Sequence, residues 1–142
     1  MMPKLTLTDR PTPAMHMAIL APLGRFNDAK AGPENHRPLA ILISDPATDG
    51  ILGGLWGSTA NHFLHVDLLF VPEDLRRLGL GRRLMQEAEE EARRRDCRGA
   101  WLDTFSFQAR GFYERLGYRV FGVIDDYPPG HCRIFLTKSL VS

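Results

Sequence analysis

Along the chain the spacing of apolar residues changes several times. From residue 80 onward the apolar positions fall four apart, at Leu80, Leu84, Ala88 and Ala92. Glu89, Glu90 and Glu91 each stand four residues before an arginine (Arg93, Arg94, Arg95). That pattern predicts an amphipathic helix whose outer face carries three i,i+4 ion pairs. Just upstream, FLHVDLLFV (63–71) is apolar, rich in β-formers and closed by Pro72, which predicts a buried central strand. LAILISD (39–45), the turn residues PATDG (46–50) and ILGGLWGS (51–58) predict a hairpin. AWLDTF (100–105) predicts another strand. FQARGFYERL then reads as a helix capped by Ser106 and ended by Gly117. YRVFGVI and HCRIFLTKSL predict two final strands joined by DDYPPG (125–130). At the front, LTLT suggests a short first strand. Met17, Ile19, Leu20, Leu23 and Phe26 suggest helix, broken into two short pieces by Pro22 and Gly24. The expected order is β, α, α, β, β, β, α, β, α, β, β, a mixed α/β domain centred on a strand–loop–helix–strand unit.

Composition narrows the function. At 142 residues the chain suits one domain, 1–142, and can bury roughly 70% of its unfolded surface without metal or disulfide. A formal charge of +1 argues against a nucleic-acid partner held by a basic excess. Cys97 and Cys132 show neither metal spacing nor a disulfide framework, so reduced thiols are expected. No apolar run approaches a membrane span and MMPKLTLTDRP lacks a signal-peptide core, so a cytoplasmic protein without membrane contact is expected.

One stretch breaks a rule. RRLGLGRR (76–83) crowds arginines where the helix starts, although helix N-termini carry partial positive charge. Cationic Arg82 and Arg83 should each cost about 0.3–1 kcal/mol there. A bound polyanion reverses that sign, and Gly79 and Gly81 bare backbone N–H groups to face it. A phosphate-binding P-loop would need Lys followed by Ser or Thr after these glycines, and a dinucleotide loop would need a third glycine at Leu84; neither is present.

The run FVPEDLRRLGLGRRLMQEAEEEAR, followed by LDTFSFQARGFYERLGYRVFG, resembles the GNAT family of N-acetyltransferases. Two family motifs carry the likeness, Arg76-x-x-Gly79-x-Gly81 and FYERLGY, most clearly over 63–123. The resemblance implies the GNAT acyl-CoA N-acyltransferase fold, a mostly antiparallel sheet of about seven strands with about four helices. It also implies acetyl-CoA as co-substrate, no metal, and direct attack of an amine on the thioester in a ternary complex. Arg76, Arg77, Leu78, Gly79, Leu80, Gly81 and Arg82 would seat the pyrophosphate. Leu69, Phe70 and Val71 would meet the pantetheine arm and polarise the acetyl carbonyl. Tyr113 matches the tyrosine beside the coenzyme sulfur, the family's general acid. Ser106 stands where the family has an asparagine, which puts that contact in doubt.

The base is expected to be Asp67, His65 or a water. Strand alternation would point His65, Asp67, Leu69 and Val71 to one face, and burial of Asp67 in an apolar strand would strengthen it as a base. On the acceptor side, Phe26, Asn27, Trp56, Asp67 and Tyr127 are the expected contacts, with Asp125, Asp126 and His131 nearby. Two acids beside an aromatic suit a cationic amine, and equally suit a plain rigid loop. A small-molecule amine is the expected acceptor; a peptide acetyltransferase and a non-catalytic CoA sensor are the alternatives. Dimers are common in such families, so a homodimer stays open, although no self-complementary apolar patch argues for it.

Overall fold

The computed structural model describes Met1–Ser142. Its backbone contacts cluster into two units, Met1–Glu34 and Asn35–Ser142. The first unit is dominated by helix α1 (Pro13–Ala31). Thr12 caps it, its hydroxyl oxygen accepting the Met15 N–H at 3.2 Å, and Pro13 occupies the first helical position. Gly32, at φ +82°, ends it, donating its N–H to Asp28 O at 2.9 Å. The helix therefore runs through Pro22 as one piece instead of the two expected. Proline removes a single donor there, and caps at both ends offset the break. Residues 1–12 form no strand: Leu5 and Leu7 are fully exposed, and without a ladder partner an extended segment has nothing to hold it.

The second unit carries β1 (Arg37–Ser44), β2 (Ile51–Ala60), β3 (Phe63–Phe70), helix α2 (Leu80–Arg94), β4 (Gly99–Phe105), helix α3 (Arg110–Arg115), β5 (Arg119–Asp125) and β6 (Cys132–Ser139). They form one six-stranded sheet in the order β1-β2-β3-β4-β6-β5, one strand fewer than expected. Every neighbouring pair is antiparallel except β3–β4, which α2 joins in parallel. Both predicted hairpins are present.

The core lies between the sheet and α2. Leu55, Leu64, Val66, Ala100, Leu102, Ile134 and Leu136 from the strands meet Leu84, Met85, Ala88 and Ala92 from the helix. Side chains on alternate strand positions face the other way: His65, Trp101, Asp103, Phe105, Arg133 and Phe135 share the opposite face.

Of the three predicted ion pairs on α2, only Glu91–Arg95 forms, at 2.8 Å, and Arg94 also turns to Glu91, at 2.9 Å. Glu89 does not face solvent. It is 4% exposed, takes a hydrogen bond from the Tyr118 hydroxyl at 2.9 Å and pairs with Lys138 at 2.7 Å. A buried carboxylate needs such partners, and here they tie α2 to β6 and to the start of β5.

Candidate active site

Two irregularities begin at the same place in β3. Against β2, Gly57 pairs with Val66 but Trp56 pairs with Leu68, so Asp67 has no partner and forms a β-bulge. Against β4, the last pair is Val66–Leu102, although both strands continue. A bulge bends its strand and increases its twist. Here it coincides with the parting of two parallel strands, opening a cleft between Asp67–Phe70 and Asp103–Phe105. Backbone N–H and C=O groups of β3 that would pair with β4 are left free along it.

The bulge also corrects the expected facing of side chains. One extra residue shifts the alternation, so Leu69 and Val71 join Leu64 and Val66 against the core, while Leu68 and Phe70 are exposed opposite them. Asp67 is exposed, not buried. The expectation that desolvation strengthens it as a base therefore fails. His65, half-buried one turn of the alternation earlier, lies flat on Trp101 with ring centroids 4.0 Å apart and planes 9° apart.

Beyond the cleft, Val71 and Pro72 lead into a single 3₁₀ turn (Glu73–Leu75) and then the arginine–glycine loop. Arg76 folds back: its Nε donates to Val71 O at 2.9 Å, bracing the loop against the strand end. Arg77 and Gly79 both take left-handed backbone conformations, φ +69° and +77°. The first helical hydrogen bond of α2 runs from Arg83 N–H to Gly79 O at 3.1 Å, so Leu80, Gly81 and Arg82 present N–H groups that no helical carbonyl accepts. No side chain caps this end, and its first turn holds no acid. Arg77, Arg82 and Arg83 are exposed and pair with no carboxylate. Leu78 is exposed at the loop's tip.

The two glycines differ in what they supply. A Cβ on Gly79 would meet nothing within 4 Å, so only its positive φ demands glycine. A Cβ on Gly81 would stand 3.2 Å from Phe112 Cζ and 3.9 Å from Val71 Cγ2. Gly81 is therefore where the end of β3, the start of α2 and helix α3 converge. Tyr113 follows Phe112 on α3 and packs edge-on to both Phe112 and Tyr118, at 5.1 Å and 6.3 Å between centroids. Burial pushes its hydroxyl up to about 12 from the usual 10. Burial first, and Glu89 after it, push Tyr118 higher still. A groove of about 440 Å³ lies between α2 and α3, with Arg82, Gln86, Glu89, Phe112, Arg115 and Lys138 among its walls.

Ser106 does not cap the helix. Its Oγ accepts the Cys132 N–H at 3.0 Å and its own N–H donates to Cys132 O at 2.8 Å, extending the β4–β6 ladder by one residue. Gln108 explains the late helix start at Arg110. Its Oε1 accepts both the Phe105 N–H, at 2.8 Å, and the Thr104 hydroxyl, at 2.9 Å, holding the turn before α3.

Of the expected acceptor contacts, Trp56 stands half-exposed on β2 opposite Leu68 and Ala40. Tyr127 lies in the β5–β6 loop and its hydroxyl accepts from Arg133 Nη1 at 2.7 Å. Phe26 and Asn27 lie near the end of α1, in the first unit, where Lys30 Nζ sits 5.7 Å from the Phe26 ring centroid. Sequence reasoning missed the bulge, Gln108 and Arg133. Only the bulge had a signal, the polar residue Asp67 inside an apolar run.

Three comparisons bear on this arrangement. The model of the acetyltransferase (GNAT) family matches residues 9–118. An acetyltransferase of Agrobacterium fabrum is 40% identical over 121 residues, covering 85% of this chain and 88% of the relative. The blasticidin-S acetyltransferase of Streptomyces morookaense is 43% identical over 107 residues, covering 73% and 79%. Among solved structures, an acetyltransferase from Agrobacterium tumefaciens matches with a TM-score of 0.89 at 38% identity, over 96% of this chain and 98% of that one.

Proposed function

Because this chain belongs to the GNAT family of acetyltransferases, we propose that it moves the acetyl group of acetyl-CoA onto a primary amine of a small molecule. The observation that carries the reading is the coincidence of bulge and cleft at Val66 and Asp67, directly followed by the uncapped N-terminus of α2. An extended arm fits between parted parallel strands, pairing with backbone groups that the ladder leaves free. A pyrophosphate fits the bare amides of Leu80, Gly81 and Arg82, where the macrodipole and the unpaired Arg77, Arg82 and Arg83 all favour negative charge.

In the transfer, the amine nitrogen forms a bond to the acetyl carbon, the carbon–sulfur bond breaks, and the sulfur leaves with the electron pair. Free backbone N–H groups at Leu69–Val71 are suited to polarise the carbonyl, being fixed before reaction. Tyr113 is proposed as the group at the sulfur, with a role set by its acidity. Held near 12, it is a much weaker acid than an ordinary thiol at about 8.5. Burial keeps the hydroxyl protonated, and a hydrogen bond from it to developing negative charge is favourable. Tyr113 thus stabilises the leaving thiolate by hydrogen bonding. The amine's proton goes to His65, directly or through one water, since the Trp101 stack fixes that ring on the face opposite α2. Asp67, solvated at the bulge, takes a lesser part.

The relative's name supports blasticidin S as the first acceptor to try. The test is release of the CoA thiol over a panel of small amines that includes blasticidin S. Acceptor-dependent release with acetylated product is expected. Tight CoA binding with no release for any amine points to a CoA-sensing domain, and release with peptide amines alone overturns the small-molecule reading.

A further inference from the structure

The face of the cleft opposite α2 ends in a cluster that the two family motifs do not include. Arg133, on β6, donates from Nη2 to Asp103 Oδ2 at 2.8 Å and from Nη1 to the Tyr127 hydroxyl at 2.7 Å. Its guanidinium carbon lies 4.9 Å from the Tyr127 ring, 5.4 Å from Phe105 and 5.8 Å from Phe135. Asp103 and Phe105 belong to the stretch of β4 that has already parted from β3. Tyr127 belongs to the β5–β6 loop, which closes on itself through Tyr127 N–H to His131 O at 3.1 Å and His131 N–H to Pro128 O at 2.9 Å. Phe107 extends the aromatic set, stacked 5.2 Å from Phe105 and edge-on to His131 at 5.0 Å.

We propose that Arg133 is a positioning residue for the acceptor, clasping the β5–β6 loop and the free end of β4 together as one wall of the acceptor side of the cleft. This rests on the acetyltransferase reading above. Three observations carry it. A planar fork serves a carboxylate and a hydroxyl from two fixed nitrogens while its flat face lies against rings, a geometry an ammonium lacks. The aromatic surfaces of Phe105, Tyr127 and Phe135, the natural cage for a cationic amine, are already filled by the chain's own cation. Lastly, the Tyr127 oxygen is engaged as an acceptor, so its own hydroxyl hydrogen is free to donate to the bound molecule. The acceptor therefore meets a wall whose Asp103 carboxylate is already paired and whose Tyr127 presents a donor. A polar molecule with hydrogen-bond acceptors near its amine fits that wall better than a bare alkylammonium.

The test compares wild type with Arg133→Met, Arg133→Lys and the charge-matched pair Asp103→Asn/Arg133→Met, which leaves no carboxylate without its partner. Hydrogen exchange is followed at the Tyr127 and Cys132 amides, CoA affinity by calorimetry, and KM separately for acetyl-CoA and blasticidin S. Arg133→Met and the pair are expected to speed exchange at Tyr127 at least about tenfold and to raise the KM for blasticidin S about tenfold, with CoA affinity and the KM for acetyl-CoA within about twofold. Arg133→Lys is expected to recover only part of the loss. Exchange within about twofold of wild type, or the two KM values rising together, overturns the proposal. A wild-type protein that binds CoA but leaves blasticidin S untouched counts against that acceptor alone; exchange and CoA affinity then decide the clasp by themselves.

Discussion

The two sides of the β3–β4 cleft are built from different materials. Toward α2 the proposed donor surface is main chain: bare amides at Leu80, Gly81 and Arg82, a left-handed Gly79, and a glycine kept small against Phe112. On the opposite side it is side chain: His65 on Trp101, Arg133 between Asp103 and Tyr127, and Phe105 beside them. A surface made of main chain is suited to what all acetyl donors share. One made of side chains is free to vary with the acceptor. Changes on one side should therefore move donor parameters and changes on the other acceptor parameters, and substitutions at Tyr113, the two glycines, Arg82 and Arg83, and the Asp67–His65 pair test that division.

The largest effect is expected at Tyr113, the residue proposed to hydrogen-bond the leaving sulfur. Tyr113→Phe should lower kcat about a hundredfold, the scale for one donor aimed at developing charge, with the KM for acetyl-CoA nearly unchanged. A rate within about threefold of wild type across pH would remove Tyr113 from the account. Its pH dependence has a definite sign. Burial raises the folded hydroxyl to about 12 from an ordinary 10, so folding favours the protonated form. Stability is then insensitive to this group below pH 10 and falls as pH climbs through about 12. Tyr113→Phe should remove that share of the alkaline loss, leaving the share due to Tyr118, which a melting series at rising pH reads directly.

Next comes Gly81→Val. Its side chain meets the Phe112 ring, so it should raise the KM for acetyl-CoA about tenfold or more and lower the melting temperature together. Gly79→Ala has space around it and should cost about 1 kcal/mol in stability through its positive φ, with a smaller change in KM. Equal effects of the two on KM would contradict the different reasons given for the two glycines.

The arginines should show opposite signs in the free and bound protein. Replacing Arg82 or Arg83 by Gln relieves charge–dipole repulsion and should stabilise the free protein by about 0.3–1 kcal/mol, while raising the KM for acetyl-CoA about threefold. Loss of stability on substitution would show that these cations have partners in the free chain. The smallest effect is expected at Asp67: Asp67→Asn should change kcat about twofold at most, whereas His65→Ala should lower it about tenfold or more. A large effect at Asp67 and none at His65 would exchange their roles.

The same division explains what could be read from the sequence. Main-chain surfaces leave fixed traces, because a left-handed turn and a close approach each require glycine at a set offset, and RRLGLG and FYERLGY display both. Every strand after residue 37 and the helix on the central crossover were legible for a related reason: their periods and turn residues are local. The bulge at Asp67 was not, since it depends on how β2 and β3 pair, and it shifted the predicted faces of Leu69 and Val71. Arg133 was illegible too. It lies 30 residues from Asp103 in sequence and meets it only because β4 and β6 are neighbours. Glu89, predicted to pair with Arg93, instead serves Tyr118, just before β5, and Lys138 on β6. At the N-terminus, local signals misled in the other direction: LTLT found no ladder, and caps at both ends carried one helix through Pro22.

The most direct test of the central claim is CoA thiol release from acetyl-CoA with blasticidin S, followed alongside the mass of the acceptor. Release should depend on the acceptor and match, mole for mole, the appearance of singly acetylated product. Tight CoA binding without acceptor-dependent release, from blasticidin S or any other small amine, would contradict it.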